Sequence, residues 1–282
     1  MKQLLQYWGA FRVAEVLGKL GFVLIGALFA IRKIDMPTFL TLGKIGCYSF
    51  VNGLAIFCYN AWTGFEADKY NQRLQKIIEV KKGHMLLASL FLFFISLFII
   101  FIHRIDIAGT ALAVWTGWFL YSWPEVNLKG IPLGGLVVSF ATEILLFHLS
   151  YLFFMPYSYQ SVSISLYFAL LVSAGHLIHE LIDQKADQEQ NIRTTAVWLG
   201  QSKTTGVIKL IYLVAFLHLF AIFFVGYVSM SCALCLGLAQ LGSGLTYWKI
   251  QPHNSQGFIK LRNLYMTYYI LGIILYVGIA LM

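Results

Sequence analysis

Residues 179–200 read HELIDQKADQEQNIRTTAVWLG. The stretch begins at the end of one long apolar run, 160–182, and is followed by another, 205–226. Each run is long enough to cross a hydrocarbon core of ~30 Å, which takes about 20 mostly apolar residues in a helix. A polar segment held between two such crossings lies at a membrane face, and the rest of the chain repeats the pattern. Further apolar runs fall at 11–30, 37–59, 84–103, 106–123, 131–154, 228–248 and 262–281, which makes nine predicted spans.

Composition leads to the same class. Of 282 residues, 59% are hydrophobic and only 11% charged, against about 25% charged in soluble domains; the mean hydropathy is +0.75. The predicted fold is all-α, a polytopic membrane protein of nine transmembrane helices. A transmembrane β-barrel would show short alternating segments, and there are none. The run at 11–30 is not read as a removable signal peptide, because Arg12, Glu15 and Lys19 interrupt its start and no clear small-residue cleavage site follows. With no Pro/Gly linker and no low-complexity segment, residues 1–282 read as a single domain.

The net charge of +8 is mainly topological. Sixteen of the 20 Lys and Arg residues lie at the N-terminal end or after spans 2, 4, 6 and 8, leaving Arg32, Lys33, Lys44 and Arg104 on the other side. The positive-inside rule places the N-terminus and those loops in the cytoplasm and the C-terminus outside. The basic loops also suit anionic headgroups, so membrane lipids are the expected surroundings; nucleic acid is excluded and no protein partner is predicted. Cys232 and Cys235 form a C-x-x-C, but no His or second Cys pair stands near them in sequence to complete a zinc site. They are read as packing residues.

Two polar clusters remain. Asp183 and Asp187 are four apart, so a helix puts both carboxylates on one face, one turn apart. Like charges at that spacing repel unless a cation lies between them, and Mg²⁺ favours a few carboxylates together with phosphate oxygens and water. A solvated loop helix is the plain alternative, set against the position at a membrane helix end, where ionisable groups are expensive and usually functional. The second cluster is Asn60 and Asp68, eight apart and on one stripe if the helix continues, with Gly64 between them. Spans 2–3 and 6–7 thus look like counterparts in two halves.

The segment N60-A-W-T-G-F-E-A-D68 resembles a degraded form of the N-D-x-x-D-x-x-x-D signature of the UbiA superfamily of intramembrane prenyltransferases. D183-Q-K-A-D187-Q-E-Q-N191-I-R193-T194 is similar to that family's second signature, D-x-x-x-D-x-x-x-G-x-(K/R)-T, and Y121-S-W-P-E-V-N-L-K129 resembles its Tyr-Ser…Leu-Lys segment. The resemblance implies nine helices around a central cavity, with two Mg²⁺ ions held by the signatures and bound to an isoprenyl diphosphate. It assigns Asn60, Asp68, Asp183 and Asp187 to the metal. Lys69, Arg73, Tyr121, Lys129 and Arg193 become candidates for gripping the diphosphate, with Lys129 also grouped with Asp183 and Asp187 as catalytic. Two departures stand out. Ala61 and Gly64 occupy positions where the first signature carries acids, and Asn191 replaces the glycine of the second, a mild change because asparagine tolerates the left-handed conformation.

The function expected from these residues is Mg²⁺-dependent transfer of an isoprenyl group from its diphosphate to an aromatic or lipid-like hydrophobic acceptor in the membrane. A UbiA-type terpene cyclase using the same donor is the alternative that Gly64 motivates. A transporter or non-catalytic membrane protein is the third, and the clustering of polar groups at one face argues against it, since transport sites usually lie near the midplane. Glu143, five residues before His148, reads either as an acceptor-orienting group or as a helix–helix contact.

Overall fold

The protein is described by a computed structural model covering residues 13–33, 35–65, 81–250 and 254–280. These residues form nine α-helices: α1 (Val13–Ala30), α2 (Met36–Thr63), α3 (Lys82–His103), α4 (Ala108–Ser122), α5 (Gly134–Tyr151), α6 (Tyr159–Glu189), α7 (Thr195–Phe224), α8 (Met230–Ile250) and α9 (Ser255–Ala280). Short 3₁₀ turns lie at Ile105–Ile107 and Leu128–Gly130, and no strand occurs among the described residues. By length and composition α2, α3, α5, α6 and α7 can each cross a membrane. Leu87, Phe91, Phe94, Phe98 and Phe101, spaced by three or four along α3, are all exposed, as a lipid-facing stripe requires.

Local chemistry sets the helix ends. Asp35 caps α2 by accepting from the Thr38 N–H at 3.0 Å, and Pro37 falls in the first turn, where no backbone donor is needed. Ser158 and Ser161 cap α6 reciprocally in a capping box. Three helices outrun their apolar segments: α6 continues from the predicted end at 182 to Glu189, α7 starts at Thr195, and α9 starts at Ser255. Hydropathy marks where lipid stops, whereas helices stop where the backbone is capped. Within α7 the chain kinks at Gly200 (φ 75°, ψ 164°), a conformation glycine adopts without a Cβ penalty.

The chain divides into two compact units, Met1–Lys129 with Leu145–Tyr157, and Gly130–Ile144 with Ser158–Met282. In the first, α2 packs most extensively against α3; in the second, α6 packs most extensively against α7. These are the two helix pairs that the polar clusters single out as counterparts.

Each unit is held by close backbone approach and by buried polar contacts, which serve as glue between membrane helices. In the first unit the Ala27 N–H donates to Ser150 Oγ at 3.2 Å and Ser89 Oγ donates to the Ala55 carbonyl at 2.9 Å. In the second, Ala174, Leu177, Ile178 and Leu181 of α6 pack with Ala196, Ile208, Tyr247, Phe258 and Leu261. There Tyr265 Oη donates to the Leu171 carbonyl at 3.1 Å, and Tyr167 Oη to Gln240 Oε1 at 3.2 Å. All four cysteines are free; Cys232 and Cys235 are buried, in keeping with a packing role.

Candidate active site

The second unit carries the better-formed cluster. Asp183 and Asp187 lie in the uninterrupted helix α6, one turn apart on one face, and both are half-buried. The helix then ends in a Schellman motif: the Ile192 N–H reaches the Asp187 carbonyl at 2.9 Å and the Asn191 N–H the Gln188 carbonyl at 3.2 Å. Asn191 has φ 57°, the left-handed conformation expected for the residue standing in for glycine. Arg193 is exposed just beyond this turn.

The start of α7 folds back onto the same face. Thr194 is its N-cap: its hydroxyl accepts from the Val197 N–H and donates to Asp187 Oδ2, each at 3.4 Å. Glu180, 7% exposed, accepts from the Ala196 N–H at 2.9 Å through Oε2 and contacts His176 Nε2 at 3.2 Å through Oε1. Gln184 Nε2 donates to the Ala196 carbonyl at 2.8 Å, and the Leu133 N–H donates to Thr195 Oγ1 at 3.0 Å. Leu133 itself has φ 66°, an uncommon conformation for a branched side chain that this bond helps hold.

The first unit differs. Helix α2 ends at Thr63, and Gly64 (φ −86°, ψ 4°) returns its N–H to the Asn60 carbonyl at 2.9 Å. Phe65 is again helical, and the stripe from Asn60 toward Asp68 passes beyond the described residues after it. Asp68, Lys69 and Arg73 lie outside the described residues. Asn60 is half-buried, and its side-chain oxygen accepts from the Ser122 hydroxyl. Beside it, Tyr59 stacks on Phe119 (5.1 Å between ring centroids), and Trp115 on Phe119 (5.6 Å). Tyr121, in the last turn of α4, sets an edge against Trp118 at 5.4 Å, and Lys129 lies half-buried in the 3₁₀ turn that follows. At the end of this unit away from Asn60 is an open cavity of about 490 Å³ lined by Arg104, Asp106, Phe153 and Tyr157. It touches none of the candidate residues.

The donor set limits the metal. Among the described residues no group of three or more His, Cys, Asp and Glu side chains is placed to hold an ion. A two-carboxylate pair fits Mg²⁺, which takes its remaining ligands from phosphate and water, and does not fit a closed structural zinc site.

Glu180, Thr194 and Ser122 are the residues that sequence reasoning left without a role. Thr194 carried a signal, a threonine just before a helix. Glu180 and Ser122 carried none for these bonds, because the Ala196 N–H and the Asn60 side chain are 16 and 62 positions away from them.

Apolar helices, with an aspartate pair toward the end of one and an amide at the end of another, define a class: integral membrane proteins with polar side chains gathered at helix ends. The sequence model of the UbiA prenyltransferase family matches residues 19–271. The chain belongs to that family and is an intramembrane protein of the prenyltransferase class. Among solved structures it is similar to a UbiA homolog from Archaeoglobus fulgidus bound to DMAPP and Mg²⁺, with TM-score 0.74, 12% identity, and coverage of 96% of this chain and 99% of that one. It is also similar to a digeranylgeranylglyceryl phosphate synthase (TM-score 0.71, 14% identity, 99% and 98% covered). A third similar structure is the apo UbiA homolog from Aeropyrum pernix K1 (TM-score 0.71, 13% identity, 95% and 98% covered). At such identities the likeness speaks for the fold. Comparison with curated protein sequences gives no match.

Proposed function

We propose that the protein transfers an isoprenyl group from its diphosphate to an aromatic or lipid-like acceptor within the membrane, with Mg²⁺ as cofactor and the whole chain acting as one domain. The observation that carries this reading is the Asp183–Asp187 pair, half-buried on one face at the end of α6. The similar Archaeoglobus fulgidus homolog bound to DMAPP and Mg²⁺ supports it.

In this reading Asp183 and Asp187 hold Mg²⁺, with Asn60 and Asp68 as the first signature's contribution. Lys129, Arg193, Tyr121, Lys69 and Arg73 grip diphosphate oxygens, arginine bidentately and lysine as a point charge. Bound Mg²⁺ supplies charge neutralisation for the leaving diphosphate. The cationic side chains add to it, and the apolar helices keep water from the reacting carbon. The allylic C–O bond breaks with its electrons on the diphosphate, the allylic carbon bonds to the acceptor, and the acceptor gives up a proton. The charge bias puts these loops and the N-terminus in the cytoplasm and the C-terminus outside.

The test is full-length protein in detergent or nanodiscs with farnesyl or geranylgeranyl diphosphate and Mg²⁺. Diphosphate release is expected, falling about 100-fold or more in Asp183→Ala and Asp187→Ala. No release with any donor length overturns the reading. A cyclised hydrocarbon formed without acceptor replaces transfer by the cyclase alternative, which the loss of a first-signature acid at Gly64 favours.

A further inference from the structure

Glu180, Asp183 and Asp187 lie on one arc of α6, because offsets of three and seven residues bring side chains back to nearly the same helix face. Three carboxylates in such a row look like three metal ligands. The contacts of Glu180 divide them differently. It is buried, and its two oxygens go to the Ala196 N–H and to His176.

The first four N–H groups of a helix have no partner within it, and that end carries partial positive charge. At α7 the Glu180 carboxylate answers Ala196 at the second helical position, and the Thr194 hydroxyl answers Val197 at the third. The Thr194 hydroxyl also donates to Asp187 Oδ2. One bonded path therefore runs from Glu180 through the first turn of α7 and Thr194 to Asp187. Gln184, four residues after Glu180, secures the same turn through the Ala196 carbonyl. The Leu133 N–H ties the segment ahead of α5 to Thr195 in that turn.

We propose that Glu180 is a positioning residue for the aspartate pair: it ligates no metal, but fixes the start of α7 so that Thr194 orients the Asp187 carboxylate. This rests on the reading of Asp183 and Asp187 as Mg²⁺ ligands. Groups that orient a metal ligand in this way commonly influence affinity by 10- to 100-fold.

The experiment measures binding of Mn²⁺, as a Mg²⁺ surrogate, to the purified full-length protein with farnesyl thiodiphosphate present, by electron paramagnetic resonance. Glu180→Gln keeps an oxygen that accepts from Ala196 and is expected to hold the Mn²⁺ Kd within about twofold of wild type. Glu180→Ala leaves that N–H unanswered and is expected to weaken Mn²⁺ about tenfold or more. Thr194→Val, which removes the hydroxyl but keeps the shape, is expected to weaken it similarly and serves as the reading where Glu180→Ala does not fold. A Glu180→Gln protein as impaired as Asp183→Ala would make Glu180 a ligand and overturn the proposal. Unchanged affinity in Thr194→Val would overturn it too, by breaking the path to Asp187. If wild type itself binds no Mn²⁺, or Asp183→Ala binds as wild type does, it is the metal assignment that fails.

Discussion

The hydroxyl of Ser122 on α4 donates to the side-chain oxygen of Asn60 on α2, joining two residues 62 positions apart within the first unit. That oxygen is the one an asparagine offers to a cation, and it has a second lone pair free of this bond by chemistry alone. Ser122 is 2% exposed. Its loss leaves a partly buried amide short of a donor, which costs about 1–3 kcal/mol. Ser122→Ala is therefore expected to lower Tm in detergent, and Ser122→Thr to restore most of it. Equal Tm for Ser122→Ala and wild type would show that the bond contributes nothing.

Gly64 is buried at the end of α2 with φ −86°, a conformation open to any L-residue. Gly64→Asp therefore reintroduces the acid of the first signature without backbone strain. A carboxylate buried without a partner is destabilising, and a cation offsets that cost. The variant is expected to melt below wild type in EDTA and to recover in Mg²⁺ with donor diphosphate, with a lower Mg²⁺ requirement for diphosphate release. The same Tm and Mg²⁺ requirement as wild type would place residue 64 away from the metal.

How far sequence alone reached differs between the two units. The nine helices of the described residues were legible because a hydrocarbon core demands apolar runs of fixed length, and the shared face of Asp183 and Asp187 because an (i, i+4) pair needs only a helix to become a surface. The left-handed residue at Asn191 was legible from its place in the second signature. The run from Asn60 to Asp68 leaves the described residues after Phe65, so only its Asn60 end, tied to Ser122, can be set beside the sequence. Glu180 stands outside both signatures. Its role depends on a backbone N–H in the next helix, and side-chain periodicity says nothing about which backbone donors a fold leaves to be answered.

Asp35 gives a pH dependence with a definite sign. Accepting from the Thr38 backbone and side chain, with Lys33 beside it, holds its carboxyl below the ordinary value of 3.8. The unfolded chain then binds the proton more readily, so the cap contributes above the ordinary value and is lost as pH falls through the lower, folded one. The Tm difference between wild type and Asp35→Ala is expected to stay constant from neutral pH downward and to shrink below about pH 4. A difference that grows on acidification would reverse the assignment.

Gly26 marks where α1 meets the end of α5. A Cβ there would lie 2.5 Å from Ser150 Oγ and 2.8 Å from the Phe147 carbonyl carbon, and would run into the carbonyl oxygen itself. The obstacle is largely backbone, which cannot swing aside as a side chain does. Gly26→Ala is expected to cost about 1–3 kcal/mol by overpacking, read as a lower Tm. Ser150→Ala, which removes the bond to the Ala27 N–H, should cost less because it creates no clash. A Gly26→Ala protein as stable as wild type would mean the helices separate freely at this point.

Asn191 closes α6 with φ 57° four residues after Asp187. Glycine meets no Cβ penalty there, whereas alanine pays the left-handed cost of about 1–2 kcal/mol without asparagine's local hydrogen bonding. Asn191→Gly is expected to match wild type in Tm, and Asn191→Ala to fall below it. The Schellman bonds at this corner end on the carbonyls of Asp187 and Gln188, so strain in Asn191→Ala reaches the backbone of a proposed ligand. Its Mg²⁺ requirement for diphosphate release should therefore rise while that of Asn191→Gly stays near wild type. Should alanine and glycine behave alike in both Tm and Mg²⁺ requirement, the left-handed turn would have no part in setting the aspartate pair.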